Sequence, residues 1–532
     1  MEKYLEKTLE KLTTTKSYLL LANSVLVVFG IWFANVGILP FKSVSDFLAL
    51  VVLVGVFAIY RPGWAFLFFT GSLVLESVNL APQNLGIAMR PYQLLAILVV
   101  VSFLVQYFSS RKRFAFPKWH WADALVVLFA LSGFISAAAS AYKGMSFKQA
   151  LVAASFVLIY FLARIFVQTF DDLKRVAPFF LSSALVVGIY AVIQNVLFLH
   201  GVNSFEVMPG RPNGTFPEAD WLGIWLVFSL AAVLSVIYFL NEKTIISKEF
   251  LKVKFLNYSL LSLILVSLIL TVSRSAWLGA VIVILGFLKL TFINGSWKMS
   301  QWHGKKMLKE LGNALLAFVI SLAIVYVFGL TRFQLGGRAA STGGLQQVTI
   351  ACAADHKAVP QQIGSLDELA LYGCRHINLE DIEKEKNVGN EILTTYRPDP
   401  NVGIRARIYK TALAQIQQHP IFGIGWGSIS KILGADERGA GLNASNIFLE
   451  VWLGAGALGL VAFVVLLLFV LIAASIRYMK AVGEKRSYAV FILLGWVAVI
   501  VPNLFNSGIF LGFVWAYLAV AISVLNIKNS GK

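Results

Sequence analysis

Apolar residues run along this chain in blocks rather than alternating with polar ones. Fourteen such runs fall near 18–39, 45–60, 63–80, 92–109, 122–141, 147–168, 176–199, 221–240, 256–272, 275–293, 311–330, 447–475, 487–502 and 509–526. A helix crossing a bilayer takes about 20 apolar residues, with a range of about 17–25. Most of the runs meet that length and several fall short of it, so the pattern predicts about 12–14 membrane helices. Only 331–446 breaks the pattern over a long stretch. The expected fold is an all-α polytopic membrane protein with one large structured loop. Its boundaries are a polar segment 1–16, a first helix bundle 17–330, the loop 331–446, a second helix group 447–526 and a tail 527–532.

Composition narrows the class. Of the 532 residues 58% are hydrophobic and only 14% charged, where a soluble chain would carry about 25% charged residues. That excludes a soluble multidomain enzyme, a disordered chain and a collagen-like fibre. The first sixteen residues hold Lys3, Lys7, Lys11 and Lys16 against Glu2, Glu6 and Glu10. They read as a solvated helical start, without the small-residue cleavage site of a secretory signal.

The net charge of +18 would point to nucleic acid in a soluble protein. Here it sorts by side of the membrane. With both termini cytoplasmic and each run crossing once, 27 Lys and Arg fall on the inner side. Twelve lie in the long loop, and only six in the short outer turns: Lys42, Arg90, Lys143, Lys148, Arg211 and Arg274. This is the positive-inside asymmetry. It accounts for the charge as topology and attraction to anionic lipid, and leaves nucleic acid out of the partners. The loop is then extracytoplasmic.

The loop has features of folded structure. Ser365 to Glu368 has capping-box spacing, and Asn378 is placed to cap 379–386. Ile404, Ile408, Ala412 and Ile416 recur every four residues, with Tyr409 and Leu413 on the same side, which predicts an amphipathic helix ending at Pro420. Both cysteines, Cys352 and Cys374, lie in the loop. Two thiols in an oxidising compartment predict a disulfide; two free buried thiols are the alternative. Two cysteines are also too few for a four-thiolate zinc cluster.

Three places carry candidate chemistry. In the turn 208–220, rich in Pro and Gly, Arg211 is the one basic residue. A guanidinium held there suits a phosphate or diphosphate, which it grips with two parallel hydrogen bonds. The bland alternative is an Arg that pairs with Glu218 or Asp220 and shapes the turn. In Thr271-Val272-Ser273-Arg274-Ser275, almost no loop separates two runs, so Arg274 sits at the membrane boundary. An ionisable group there is costly and functional by default, with snorkelling to headgroups as the alternative. In Asn443-Ala444-Ser445-Asn446, followed one turn later by Glu450, a helix N-cap competes with a polar cluster facing a substrate. Glu76, inside an apolar run, either pairs with an Arg or faces headgroups. Glu218 and Asp220 at i, i+2 are a weak metal-binding pattern. His356, His376 and His419 read as structural, and no Walker-type nucleotide loop is present.

Taken in order, three segments resemble the O-antigen ligase and Wzy-type O-antigen polymerase superfamily. They are Arg211-Pro-Asn-Gly-Thr-Phe216; Thr271-Val-Ser-Arg-Ser-Ala-Trp-Leu-Gly279; and Arg405 onward through His419-Pro-Ile-Phe-Gly-Ile-Gly-Trp426 to Asn446-Ile-Phe-Leu-Glu450 and Gly456-Ala-Leu-Gly459. The resemblance covers roughly 200–465.

It implies a GT-C-like glycosyltransferase of the bacterial inner membrane. Such an enzyme takes glycan from an undecaprenyl-diphosphate carrier on the outer face and passes it to a glycan, lipid or protein acceptor, with no cofactor and no metal. Outer arginines then hold the diphosphate. Arg211, Arg274, Glu450 and Ser445 are expected at the catalytic centre, and Arg405, Asn446, Glu218 and Asp220 in binding. The family's Ala-His-Asn reads Ala444-Ser445-Asn446 here. Ser445 therefore stands where relatives carry the basic His, and a serine is no general base near neutral pH. Glu450 is the first replacement and Glu218 another. The competing readings are a flippase for a lipid-linked glycan and a metal-dependent oligosaccharyltransferase-like enzyme built on Glu218 and Asp220.

Overall fold

A peptide group left unpaired in hydrocarbon costs several kcal/mol, so long apolar runs are forced into helices. The computed structural model describes residues 2–109, 116–243, 248–331, 335, 345–377, 382–398, 400–435 and 441–527. Among them, eleven helices are long and apolar enough to cross a membrane, and two shorter apolar helices accompany them. In chain order the first group is α1 (Glu2–Asn35), α2 (Val44–Tyr60), α3 (Pro62–Ser72), α4 (Pro91–Phe108), α5 (Trp121–Ala139), α6 (Lys143–Phe166), α7 (Phe170–Leu199), α8 (Ala219–Asn241), α9 (Lys248–Thr271), α10 (Arg274–Ile293) and α11 (Gly304–Val327).

After the long loop come α15 (Ile447–Lys480), α16 (Glu484–Asn503) and α17 (Gly512–Asn526). α8 is the central post: its apolar window is 89% buried against 22% for those of α1 and α11. A helix apolar on all sides belongs inside protein, and one buried on a single face sits at the rim. α8 packs on α9, α10 and α16, while α15 packs on α5 and α16.

The run at 63–80 is not one continuous helix. α3 stops at Ser72, and an irregular segment follows. It is enclosed by protein: Leu73, Val74, Leu75 and Glu76 are all buried. The Glu76 carboxylate accepts the Gly512 N–H at 2.8 Å and the Tyr92 hydroxyl at 2.9 Å, and Arg90 Nη1 lies 3.1 Å away. Non-helical backbone among apolar helices persists where protein groups satisfy it. Of the two readings for Glu76, the Arg pair is the one formed.

The loop holds a three-stranded antiparallel sheet in the order β2-β1-β3, from β1 (Leu345–Cys352), β2 (Cys374–His376) and β3 (Glu391–Pro398). Sequence reasoning expected only helices here. Val348, Ile350 and Cys352 all turn inward, the period of two that marks a strand. Cys352 is paired with Cys374 in register and bonded to it. The Ser365 segment forms a 3-10 helix, Leu366–Tyr372, without a side-chain cap from Ser365. Asn378 lies outside the described residues, and α12 (Ile382–Asn387) follows it.

The amphipathic helix is present as α13 (Pro400–Gln418). Ile408, Ala412 and Ile416 are buried, but Ile404 and Leu413 are exposed, so the covered stripe is narrower than expected. α14 (Ile429–Leu433) completes the loop.

The turn after α13 docks on a break in α15. At Gly456 the backbone leaves helical geometry, with φ 69° and ψ −175°. The freed groups are taken by the turn: Ala457 N–H donates to Ile421 O at 2.9 Å, and Ile424 N–H to Leu453 O at 2.8 Å. A Cβ on Gly456 would lie 2.2 Å from Ile421 O, so only glycine admits this backbone approach. Gly454 likewise faces the turn, at Trp426, while Gly459 packs against Ser132 of α5.

Candidate active site

Arg211 sits in the connection between α7 and α8, which is tied from several sides. Gln194 of α7 accepts the Gly214 N–H at 2.7 Å, Asn213 Nδ2 donates to Phe216 O at 2.6 Å, and the Thr215 hydroxyl donates to Val74 O at 2.6 Å. These bonds aim Arg211 inward. Its Nε donates to Thr271 O at 3.0 Å and its Nη2 to Asp220 Oδ1 at 3.3 Å. Arg211 is only 9% exposed. Of the readings open for Arg211, the pairing with Asp220 that shapes the turn is formed. The guanidinium keeps one further edge, where, among the described residues, Nη1 meets the soft Met208 sulfur at 3.7 Å.

Thr271 belongs to the second motif, so two segments sixty residues apart are joined directly. α9 ends at Thr271 and α10 starts at Arg274. The reversal is tight enough to force Val272 to φ 53°, a region β-branched residues enter only when held there. The Thr271 hydroxyl donates to Leu268 O at 2.8 Å and Trp277 Nε1 to the same oxygen at 2.8 Å, which holds it. Arg274 is half-buried as the first residue of α10. Ser273, the N-cap, makes no side-chain cap bond. The positive end of the helix dipole therefore adds to the guanidinium charge.

In the third motif Ser445 has φ 49°. Three bonds hold this left-handed turn. Glu450 Oε2 accepts the Ala444 N–H at 2.6 Å, Asn443 Oδ1 accepts the Ser445 N–H at 2.8 Å, and the Tyr409 hydroxyl donates to Ser445 O at 3.2 Å. Glu450 is buried, 6% exposed. Asn446, not Ser445, caps α15, accepting the N–H groups of Phe448 and Leu449 at 2.9 and 3.2 Å. Its Nδ2 donates to Leu504 O at 3.0 Å. Arg405 of α13 donates from Nη2 to Phe505 O at 3.4 Å, and Asn506 Nδ2 donates to Ser275 Oγ at 2.9 Å.

Arg211 and the Arg274 turn are thus brought together directly. Arg405 and Asn446 join Ser275 through residues 504–506. Asp220 sits on Arg211, and Glu218 is the N-cap of α8. Cys352 and Cys374 belong to a separate small core within the sheet. An apolar cavity of about 600 Å³, lined among others by Phe66, Phe180, Phe228, Phe491 and Lys174, reaches the opposite end of α7 from Arg211 and is not part of this site.

Two features were missed. Residues 503–508 were read only as a link between two runs. Glu206 was not singled out, although an acid five residues before Arg211 was the available signal. Its Oε2 accepts the Gly210 N–H at 2.9 Å and the Ser204 hydroxyl at 3.1 Å, while its buried Oε1 has no partner among the described residues.

Burial pushes the Glu206 carboxyl up to about 7. Between its ordinary value of 4.5 and 7 the folded protein holds a proton that the unfolded chain releases. Stability is therefore lost as pH rises through that window. Glu206→Gln keeps an acceptor for Gly210, and is expected to melt above the wild type at pH 8, with the gap closing toward pH 5. Thermal unfolding in detergent checks this; equal melting at pH 8 would mean that the carboxylate is hydrated.

Residues 259–464, from the middle of α9 into α15, match the family described as O-antigen ligase. The match takes in Arg274, Arg405, Ser445, Asn446 and Glu450 and leaves out Arg211, Glu206 and 503–508. No curated protein matches the chain. Motif order, the joined arginine turns and this match agree: the protein is a polytopic membrane protein that carries, over residues 259–464, a domain matching the O-antigen ligase family.

Proposed function

We propose that the protein transfers or polymerises glycan from a polyprenyl-diphosphate-linked donor. Both termini would lie in the cytoplasm and the long loop on the outer face. The observation that carries this reading is the gathering of three basic motifs at the loop-bearing end of the helices. Arg211 binds the backbone of the Arg274 turn, and Arg405 and Ser275 are fastened to one short segment.

The chemistry needs little more. An acceptor hydroxyl attacks the anomeric carbon, the C1–O bond to the diphosphate breaks, and the electron pair leaves with the diphosphate. Arg274, Arg211 and Arg405 neutralise the charge that builds there, which preorganised cations do well in a water-poor site. The hydroxyl proton goes to Glu450. Asp220 is engaged with Arg211, which favours an ion pair over a metal site built with Glu218.

Vesicles containing the protein, a short glycan on polyprenyl diphosphate and a soluble sugar acceptor on the loop side test the reading. Glycosylated acceptor and free polyprenyl diphosphate are expected together. Movement of the intact lipid across the bilayer, with the C1–O bond unbroken, would replace it with the flippase reading.

A further inference from the structure

The turn between α16 and α17 lies outside the matched segment, yet it touches three arms of the site. One end is closed by fully buried Asn503, whose Nδ2 donates to Val499 O at 2.7 Å and whose Oδ1 accepts the Gly508 N–H at 2.6 Å. The far end is pinned to the N-terminal helices. Glu76 accepts the Gly512 N–H, and Arg90 Nη1 donates to Phe510 O at 3.4 Å.

Between these anchors the chain has little freedom. There Leu504 O takes the Asn446 amide, Phe505 O takes Arg405, and Asn506 Nδ2 divides between Ser275 Oγ at 2.9 Å and Pro502 O at 3.2 Å. Ser275 Oγ lies 3.3 Å from Ser273 Oγ, and these two serines flank Arg274.

We propose that Asn506 is the positioning residue that sets Arg274, and that the turn 503–508 aligns Arg274 with Arg405 on the donor diphosphate. This rests on the transfer reading above. A binding constellation has to be held to about 0.5 Å, and a misplacement of about 1 Å costs on the order of 10²-fold in rate. Ser275, next to Arg274 in the first turn of α10, takes a contact from outside the α9–α10 reversal. Asn506 supplies it from a segment fastened at both ends. The residue type fits as well: an amide donates to Ser275 without bringing a negative charge beside the diphosphate.

The test is transfer kinetics on Asn506→Ala, Ser275→Ala and their double variant, with Asn506→Asp, Arg274→Lys and thermal melting alongside. Each alanine variant should lower kcat/KM for the donor about tenfold, and the double variant no further, because both break one bond. Asn506→Asp should raise the donor KM more than it lowers kcat. Melting should stay at the wild-type value. Additive losses together with lower melting would overturn the proposal and leave Asn506 a folding residue. Native kinetics in Asn506→Ala beside a crippled Arg274→Lys would overturn the positioning role alone. A fully active Arg274→Lys would overturn this inference while leaving the transfer reading standing, and a wild-type protein that transfers no glycan would bring down both.

Discussion

Arg274→Lys is expected to lower glycan transfer by about 10²–10³-fold, the loss seen when one preorganised donor to a developing charge is removed. The charge itself is kept, so the loss isolates geometry. An ammonium offers a point charge, whereas a guanidinium offers a flat fork that matches two phosphate oxygens at once. The first turn of α10 adds its dipole to whatever sits there, and lysine would place its charge in a different part of that field. Arg211→Lys should behave differently. Arg211 is 9% exposed and ties Thr271 O and Asp220 together, so its replacement should lower melting as well as activity. Measuring transfer and melting for both variants separates a cation that acts on the donor from one that also holds the fold. Equal, native-like activity in the two would make both arginines structural.

The membrane helices were legible in the sequence because hydrocarbon leaves long apolar runs one solution. The exception, 63–80, failed for a reason spacing cannot reveal: Glu76 is satisfied by Gly512, 436 residues away. The three motifs were legible for a similar local reason. Each is a turn, and turns declare themselves through Pro, Gly, Ser and Asn. Their assembly was not legible, since it depends on Arg211 reaching Thr271 O and on two carbonyls at 504 and 505. A backbone oxygen is the same in every residue and leaves no mark on composition. The sheet is a different kind of miss. The alternation at Val348, Ile350 and Cys352 was on view, but only helical spacing was sought in the loop. The pairing of Arg211 with Asp220 was legible as an alternative, and it forms because the first turn of α8 brings Asp220 back to it over nine residues.

Glu450→Gln should reduce transfer by about 10²–10⁴-fold, the contribution of a positioned general base, while leaving the fold intact. The substitution discriminates because Glu450 has two separable jobs in this geometry. Its Oε2 accepts the Ala444 N–H at 2.6 Å and so helps hold Ser445 at φ 49°. A glutamine oxygen can accept the same bond, so the turn and the melting temperature should survive. What glutamine lacks is the capacity to take a proton from the acceptor hydroxyl. Glu450→Ala removes both, and should lower melting too, because a buried N–H left without its acceptor costs about 1–3 kcal/mol. Ser445→Ala keeps the backbone bonds of the turn and should retain a good fraction of the activity. His419→Ala should as well, since His419 lies just past the end of α13, where its N–H closes the last turn on Gln415 O. If Glu450→Gln instead transfers at the native rate with the turn intact, the carboxylate is only a brace for the α15 N-terminus, and the proton leaves by another route. An inactive His419→Ala beside an active Glu450→Gln would place that route in the long loop.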